Sequence, residues 1–100
     1  PRADPRRYAV SIAARLGLPP RVTRLAVEVL DMAEERRLAR GGGPAGLAAG
    51  AVYTAALMTG KHRSQEEVAR AAEVSVVTVR KWYKLLTEEL GLEIPVKARA

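Results

Sequence analysis

The sequence predicts an all-α domain of five helices, and three observations support that fold class. Apolar residues recur three and four positions apart along most of the chain, which is the spacing of one helix face. No segment shows a convincing alternation of apolar and polar residues, the pattern of a half-buried strand. Proline, glycine, aspartate and serine stand where helices would begin and end. One hundred residues with 48% hydrophobic content suffice for one domain with a single core, which we assign to residues 1–100.

The first helix is expected at residues 4–16 and the second at 20–38. Asp4 can cap the first helix and Gly17 ends it, while the glycine triplet 41–43 follows the second. The first helix has an inward face of residues four apart, namely Tyr8, Ile12 and Leu16. The second has a longer inward stripe, formed by Val22, Leu25, Ala26, Val29, Met32 and Ala33.

The third helix, expected at 44–59, differs from the others because it is apolar on all sides. In a soluble domain such a helix is surrounded by the other helices, so we expect it at the centre. Gly46 and Gly50, together with its many alanines, would let the neighbouring helices approach closely.

A helix-turn-helix is expected at residues 64–90. Ser64 stands three residues before Glu67, the spacing of a capping box, and Ser75 can cap the last helix. Val74 would fill the turn between the two helices. The inward positions of the pair are Val68, Ala69, Ala72, Val79, Trp82, Leu85 and Leu86. The positions left to face outward are Val76, Val77, Thr78, Arg80, Lys81 and Lys84.

Charge and residue usage restrict the classes of function. Seventeen basic and eleven acidic residues give a net charge of +6 and a pI near 10.3, which favours a polyanionic partner. The absence of cysteine and the single histidine, His62, argue against disulfides and against thiolate or histidine-rich metal sites. The sequence has no Cys–His pair, no phosphate-binding glycine loop followed by Lys-Ser/Thr, and no metal-ligand spacing. We therefore expect neither an enzyme nor a cofactor.

Other features bear on the origin of the chain. No apolar run approaches the length of a membrane span, and no signal peptide opens the sequence. The first residue is Pro1 rather than methionine, so we expect a piece of a longer protein. Arginine far outnumbers lysine, and asparagine is absent, which fits either a thermophile or a GC-rich genome.

Several segments together resemble a known family. They are Pro44-Ala-Gly-Leu-Ala-Ala-Gly-Ala-Val-Tyr-Thr-Ala-Ala-Leu57, Val74-Ser-Val-Val-Thr-Val-Arg80 and Leu92-Glu-Ile-Pro95, with Asp4-Pro-Arg-Arg-Tyr8 and Leu16-Gly-Leu-Pro19 near the beginning. The chain resembles the second cyclin-like repeat of archaeal transcription factor B, the counterpart of eukaryotic transcription factor IIB. The resemblance implies a five-helix cyclin-like fold that joins the TATA-box-binding protein on double-stranded promoter DNA to set up the preinitiation complex. It also implies contact with RNA polymerase through the full-length protein, a monomer, and a cytoplasmic, nucleoid-associated location.

The resemblance further implies which residues read DNA bases. The family pattern Val-Thr-x-Arg, which contacts the B recognition element in the major groove, maps onto Val77, Thr78 and Arg80. A guanidinium can pair with guanine O6 and N7 at once, worth about 1–3 kcal/mol of discrimination, so Arg80 is the strongest candidate. The alternative for Arg80 is a solvated side chain or a pair with Glu66 or Glu88. Val77 contacts a thymine methyl or completes a helix contact, and Thr78 bonds DNA or caps its own helical turn.

Phosphate contacts are expected from the cations that flank the motif, because such contacts position a protein without specifying sequence. These cations are Lys61, Arg63, Lys81 and Lys84. The alternative for each is an ordinary surface charge. Three further arginines could meet DNA, contact the missing first repeat or have no role: Arg6, Arg7 and Arg15.

Three residues depart from the family pattern. Glu73 stands where the turn often has glycine, so it must adopt a left-handed conformation or shift the turn. Trp82 and Lys81 replace smaller or neutral residues, and we expect Trp82 to face inward.

Two other functions also fit the residues: a cyclin-fold scaffold for protein interaction, or a helix-turn-helix regulator of another kind that binds as a dimer.

Overall fold

The computed structural model describes residues 3–95 and contains five helices. They are α1 (Pro5–Arg15), α2 (Pro20–Glu35), α3 (Pro44–Met58), α4 (Gln65–Ala72) and α5 (Val76–Leu90). No strand occurs among the described residues, and the predicted all-α class is confirmed. In the tail that follows α5, Ile94 packs into the core with 6% of its surface exposed. Val96 lies outside the described residues.

The apolar helix α3 lies at the centre, as its sequence predicts. It packs against each of the other four helices, and every residue from 46 to 57 is buried. The hydroxyl of Thr54 is the one buried polar side chain in this core of the described residues, and it donates to the carbonyl oxygen of Gly50 at 2.7 Å. Small side chains dominate α3, so its neighbours approach close to its main chain.

The inward face of α1 differs from the prediction by one position. Ala9, Ile12 and Ala13 are buried, whereas Tyr8 is 38% exposed and Leu16 is only half-buried. Ala9 and Ala13 flank Ile12 at helical spacing, and their small side chains allow α1 to approach α3 closely. A tyrosine on this face would hold the two helices apart, so the ring of Tyr8 lies at the edge instead.

The second helix ends earlier than predicted, at Glu35 rather than Leu38. Arg37 adopts a left-handed conformation with φ 58°. This turns the chain so that the N–H of Leu38 donates to the carbonyl of Ala33 at 2.9 Å, and that of Arg37 to Glu34 at 3.0 Å. These two bonds form the usual closing motif of a helix, although the left-handed residue is not a glycine.

Within α2 the predicted stripe is largely confirmed. Val22, Ala26, Val29 and Ala33 are buried, and Leu25 and Met32 are half-buried against the core. The sequence pattern missed Leu30, which is 3% exposed.

Arg6 contacts three carboxylates, and two of them, Asp31 and Glu34, join α1 to α2. Its guanidinium lies 2.7 Å from Glu34 Oε1, 2.6 Å from Asp31 Oδ1 and 3.1 Å from Asp4 Oδ1. These partners raise the pKa of Arg6, Glu34 having the largest effect. The backbone N–H of Arg6 donates to Asp4, caps α1 and lowers the pKa of that carboxyl. The guanidinium of Arg6 is therefore engaged in contacts that stabilise the fold.

The helix-turn-helix has the predicted caps and a strained turn. Ser64 Oγ accepts from the N–H of Glu67 at 3.0 Å, and the Glu67 carboxylate accepts from the N–H of Ser64 at 2.9 Å. This second bond lowers the pKa of Glu67. Glu73 adopts the left-handed conformation, with φ 59° and ψ 42°, so the turn keeps its usual shape without a glycine. The N–H of Val74 then donates to Ala69 at 3.0 Å.

Candidate nucleic-acid interface

One face of α5 is left to solvent along most of its length. Successive residues of an α-helix are turned by about 100°, so positions separated by three, four and seven residues share a face. The exposed residues on this face, which we call the α5 stripe, are Val77, Arg80, Lys81, Lys84 and Glu88. The opposite side of the helix is buried through Val79, Trp82 and Leu86.

The first two turns of the α5 stripe combine an apolar side chain with cations. Val77 is 67% exposed, more than any other large hydrophobic residue described. Within residues 3–95, the side chains of Arg80 and Lys84 form no hydrogen bond and no ion pair. The alternative in which Arg80 pairs with Glu66 or Glu88 is therefore not what the structure shows. Glu88 closes the stripe with the opposite charge, which would repel phosphates beyond Lys84.

Two residues predicted to face outward are half-buried instead, Val76 and Thr78. The Thr78 side chain turns toward α3, where its Cγ2 lies 2.7 Å from the position that a Cβ on Gly46 would occupy. Its Oγ1 lies 2.9 Å from Ser75 Oγ, which also accepts from the N–H of Thr78 at 3.1 Å. Position 78 is turned by about 100° from Val77, which takes it from the exposed face to the α3 side.

Trp82 holds α5 against α3 through Gly42, Gly46 and Gly50. The predicted close approach at Gly46 and Gly50 is confirmed, whereas neither the part played by Gly42 nor Trp82 as the common partner was predicted from the sequence. The Trp82 side chain is 3% exposed, which confirms the predicted inward orientation. A Cβ at Gly42 would overlap Cζ2 of the indole, one at Gly46 would lie 3.1 Å from Nε1, and one at Gly50 would overlap the Trp82 Cβ. The spacing of four residues between these glycines, one helical turn, was the signal for a close helix approach.

The same contacts fix the relative direction of α3 and α5. Gly46 lies against Thr78, and Gly50 lies against Trp82. Both contacts advance by four residues on each helix, so the helices run side by side in the same direction. Their N-terminal ends consequently lie at the same end of the domain.

The loop before α4 holds two of the predicted phosphate contacts, but the structure does not place them on the α5 stripe. Lys61 is exposed. Arg63 is half-buried, and its guanidinium donates to the carbonyl of Leu16 through Nε at 3.3 Å and Nη2 at 3.2 Å. The loop is linked to α5 by aromatic rings, because Tyr53 contacts His62 at 6.2 Å and Tyr83 at 5.1 Å between centroids. Arg63 thus secures this loop to the end of α1.

Among the arginines whose roles were left open, two serve the fold. Arg6 is bonded to three carboxylates, as described above. Arg15 donates to the carbonyl of Ala71 at 2.7 Å and lies 3.9 Å from Glu73, so it caps the end of α4 beside the turn. Arg7 is exposed, and its side chain forms no hydrogen bond or ion pair with the described residues.

The exposed groups in the described part of the chain are suited to binding a ligand. No group of histidine, aspartate and glutamate side chains between residues 3 and 95 is arranged to hold a metal ion. No helix in that range has the length and apolar character needed to cross a membrane. The α5 stripe presents a guanidinium, ammonium groups and an aliphatic side chain on a firmly packed helix, a combination suited to contacting bases and phosphates.

Comparison with known proteins identifies relatives over most of the chain. The family model described as transcription factor TFIIB repeat matches residues 1–89. A transcription initiation factor IIB from Caldivirga maquilingensis is 47% identical over 97 residues, which are 97% of this chain and 29% of the relative. Those from Pyrococcus abyssi and Archaeoglobus fulgidus are 48% identical over 92 residues and 47% identical over 91, covering 31% and 28% of the relatives.

The chain therefore spans less than a third of the length of these relatives, as one repeat would. The relatives are archaeal, as the resemblance implies. The family consists of general transcription factors rather than enzymes, which confirms the prediction that the chain is not an enzyme. Since the family model covers most of the sequence, the protein belongs to the transcription factor TFIIB repeat family.

Proposed function

We propose that this domain binds promoter DNA as part of a transcription initiation factor, with α5 in the major groove. The observation that supports the proposal is the α5 stripe, in which the side chains of Arg80 and Lys84 have no partner among residues 3–95. An α-helix with its side chains is about 10–12 Å wide, and the major groove is about 12 Å wide. Trp82 holds this helix firmly against α3, so the exposed groups are presented in fixed positions.

Base reading is assigned to the N-terminal half of α5. Arg80 pairs with a guanine, Val77 contacts a thymine methyl, and Thr78 reaches the DNA only with the part of its surface that Gly46 leaves free. From Val77 to Lys84 the helix advances roughly 10 Å, which corresponds to about three base-pair steps. Such a short reading length is consistent with a recognition element read together with a neighbouring protein.

Phosphate contacts are assigned to Lys61, Arg63, Lys81 and Lys84. Lys84 and Lys81 border the reading residues on the α5 stripe. Arg63 holds the loop to Leu16 through its guanidinium, and Lys61 beside it is exposed. The role of the wider protein also belongs to this proposal: recognition of the B recognition element next to the TATA-box-binding protein, and contact with RNA polymerase. The names of the relatives support it.

Substitution of Arg80 and Lys84 by alanine tests the assignment. Arg80→Ala should reduce discrimination at one guanine position by about 1–3 kcal/mol and leave binding to unrelated DNA nearly unchanged. Lys84→Ala should weaken binding to all sequences alike and reduce the slope of log K against log salt by about one. Both are measured by titration of duplex DNA at several salt concentrations, with and without the TATA-box-binding protein.

The two variants serve as controls for each other, because both side chains are exposed on the same helix and lack partners among residues 3–95. Equal losses on every sequence for Arg80→Ala would exclude its role in base reading. Binding without salt dependence in the unaltered domain would favour the protein-interaction scaffold instead. Dimerisation on DNA would favour a helix-turn-helix regulator of another kind.

A further inference from the structure

The N-terminus of α3 presents backbone donors that the described residues do not use. Its N-cap is Gly43, which has no side chain to cap the helix. Pro44 has no N–H. The first N–H with a partner is that of Leu47, which donates to Gly43 at 3.3 Å, so those of Ala45 and Gly46 are available. Such a helix end carries a partial positive charge and suits an anion.

A nearly buried side chain adds a second, independent donor at the same place. Trp82 is 3% exposed, and its indole Nε1 lies 3.1 Å from where a Cβ on Gly46 would be. The indole N–H forms no hydrogen bond within residues 3–95. Every fully enclosed side-chain nitrogen in that range has a partner, so the indole nitrogen is not fully enclosed. Solvent therefore reaches it. Since a buried tryptophan usually finds an acceptor for its N–H, this donor is available for a ligand.

A cation stands beside these donors. The ammonium of Lys81 lies 5.3 Å from the centroid of the Trp82 ring, whose edge runs along Gly42 and Gly46. Lys81 also belongs to the α5 stripe, so it lies between the proposed reading face and the start of α3. A helix end, an indole N–H and an ammonium group together provide the donors and positive charge that a phosphate oxygen requires.

We propose that the start of α3, the indole N–H of Trp82 and the ammonium of Lys81 bind one phosphate of the DNA backbone beside the groove that α5 enters. The inference rests on the proposed function, because it takes the DNA position from α5. Since α3 and α5 run in the same direction, both N-termini face the same DNA. A phosphate clamp at α3 would set how deeply Val77 and Arg80 enter the groove.

The single tryptophan makes the test direct, because the chain then has one indole N–H signal in an NMR spectrum. Duplex DNA should shift this signal downfield and slow its exchange with water, while the amide signals of Val77 and Arg80 also move. Shifts of those amides with an unmoved indole signal would overturn the phosphate site and leave the proposed function standing. A titration in which no α5 signal moves would overturn the proposed function itself. An indole signal that responds to inorganic phosphate and not to DNA would likewise contradict a site for the backbone.

Two variants then test the donors with little change to the fold. Trp82 is replaced by benzothienylalanine, an isostere in which sulfur takes the place of the N–H, and Lys81 is changed by Lys81→Gln. Each should lower the affinity for DNA by about three- to tenfold. Unchanged thermal unfolding shows that the domain remains folded.

The location is tested with duplexes that each carry one uncharged methylphosphonate linkage. One linkage should weaken binding of the unaltered domain and have little further effect on the two variants. Lys84→Gln is the matched control. Its binding should still be weakened by the methylphosphonate linkage at the α3 site, and it should instead lose its response to a linkage at a different position. If both altered proteins respond to every linkage as the unaltered domain does, the phosphate site is wrong.

Discussion

Substitution of Gly50 by alanine is expected to destabilise the domain by roughly 2 kcal/mol. A Cβ at this position would overlap the Cβ of Trp82 and lie 3.2 Å from its main-chain carbonyl carbon. Neither atom is the movable end of a side chain, so α3 and α5 would have to separate. Overpacking of this kind costs about 1–3 kcal/mol, and we take the upper end because main chain must move. The better helix propensity of alanine offsets about 1 kcal/mol of it.

Gly42→Ala provides a contrasting case with the same partner. At this position the overlap is with Cζ2, at the far edge of the indole ring, and Gly42 has no positive φ. Trp82→Leu removes that edge but retains the Cβ and the main chain. In the Trp82→Leu background, Gly42→Ala should therefore become neutral or stabilising by up to about 1 kcal/mol. Gly50→Ala should destabilise both backgrounds to the same extent.

The assay is urea denaturation followed by far-ultraviolet circular dichroism, which does not depend on the tryptophan that is removed. The coupling free energy between positions 42 and 82 should be about 1 kcal/mol or more, and that between 50 and 82 should fall within about 0.5 kcal/mol of zero. A neutral or stabilising Gly50→Ala in the unaltered domain would refute the close approach of the two helices. Equal effects of Gly42→Ala in both backgrounds would refute the contact with the indole edge.

Two further predictions concern the helix-turn-helix. Glu73→Gly should stabilise the domain by about 0.5–1 kcal/mol, because glycine relieves the left-handed strain at the turn. This gain is a net value, since glycine also adds entropy to the unfolded chain. A fall in the thermal midpoint of unfolding would contradict the prediction. The backbone N–H of Ser64 holds the pKa of Glu67 in the fold below its ordinary value of 4.5. The ionised Glu67 side chain therefore contributes to stability above pH 4.5, and this contribution is lost as the pH falls through the lowered pKa. Glu67→Gln should accordingly flatten the loss of stability between about pH 5 and 3. Glu66→Gln should not, because the Glu66 side chain takes no part in the two bonds of the capping box, and equal slopes of stability against pH for the two variants would exclude the effect.

Much of the fold could be predicted from the sequence because local signals and the global packing agree. Caps, prolines and glycines mark the helix starts, and the uniformly apolar third segment identifies the central helix. The errors arise where neighbouring residues compete for one position. Ala9 rather than Tyr8 faces inward because the distance between α1 and α3 favours a small side chain, which periodicity alone does not reveal. Arg37 ends α2 in a conformation that a non-glycine residue rarely adopts, so no sequence signal marked it.

The candidate site was predictable to a different degree. The positions of Val77 and Arg80 followed from helical spacing, because exposure on an outer face depends on one helix only. The orientation of Thr78 depended on how closely α3 approaches, and that distance is set by the glycines opposite Trp82. Helical spacing within α5 contains no information about this partner. A row of glycines four residues apart in one helix, with a large aromatic residue in another, is the pattern to seek in such cases.

The net positive charge of the chain supports DNA binding less strongly than do individual cationic side chains that have no hydrogen-bond or ion-pair partner within residues 3–95. Arginines from other parts of the chain donate to the C-terminal carbonyls of three helices: Arg63 to Leu16, Arg15 to Ala71 and Arg36 to Glu89. These bonds satisfy carbonyl groups that a helix end leaves without partners, and the cations also interact favourably with the helix dipole. A basic composition would arise in this fold from such structural arginines even if the domain bound no DNA. The functional inference therefore depends on Arg80, whose guanidinium stands on an exposed helix face with no partner among residues 3–95.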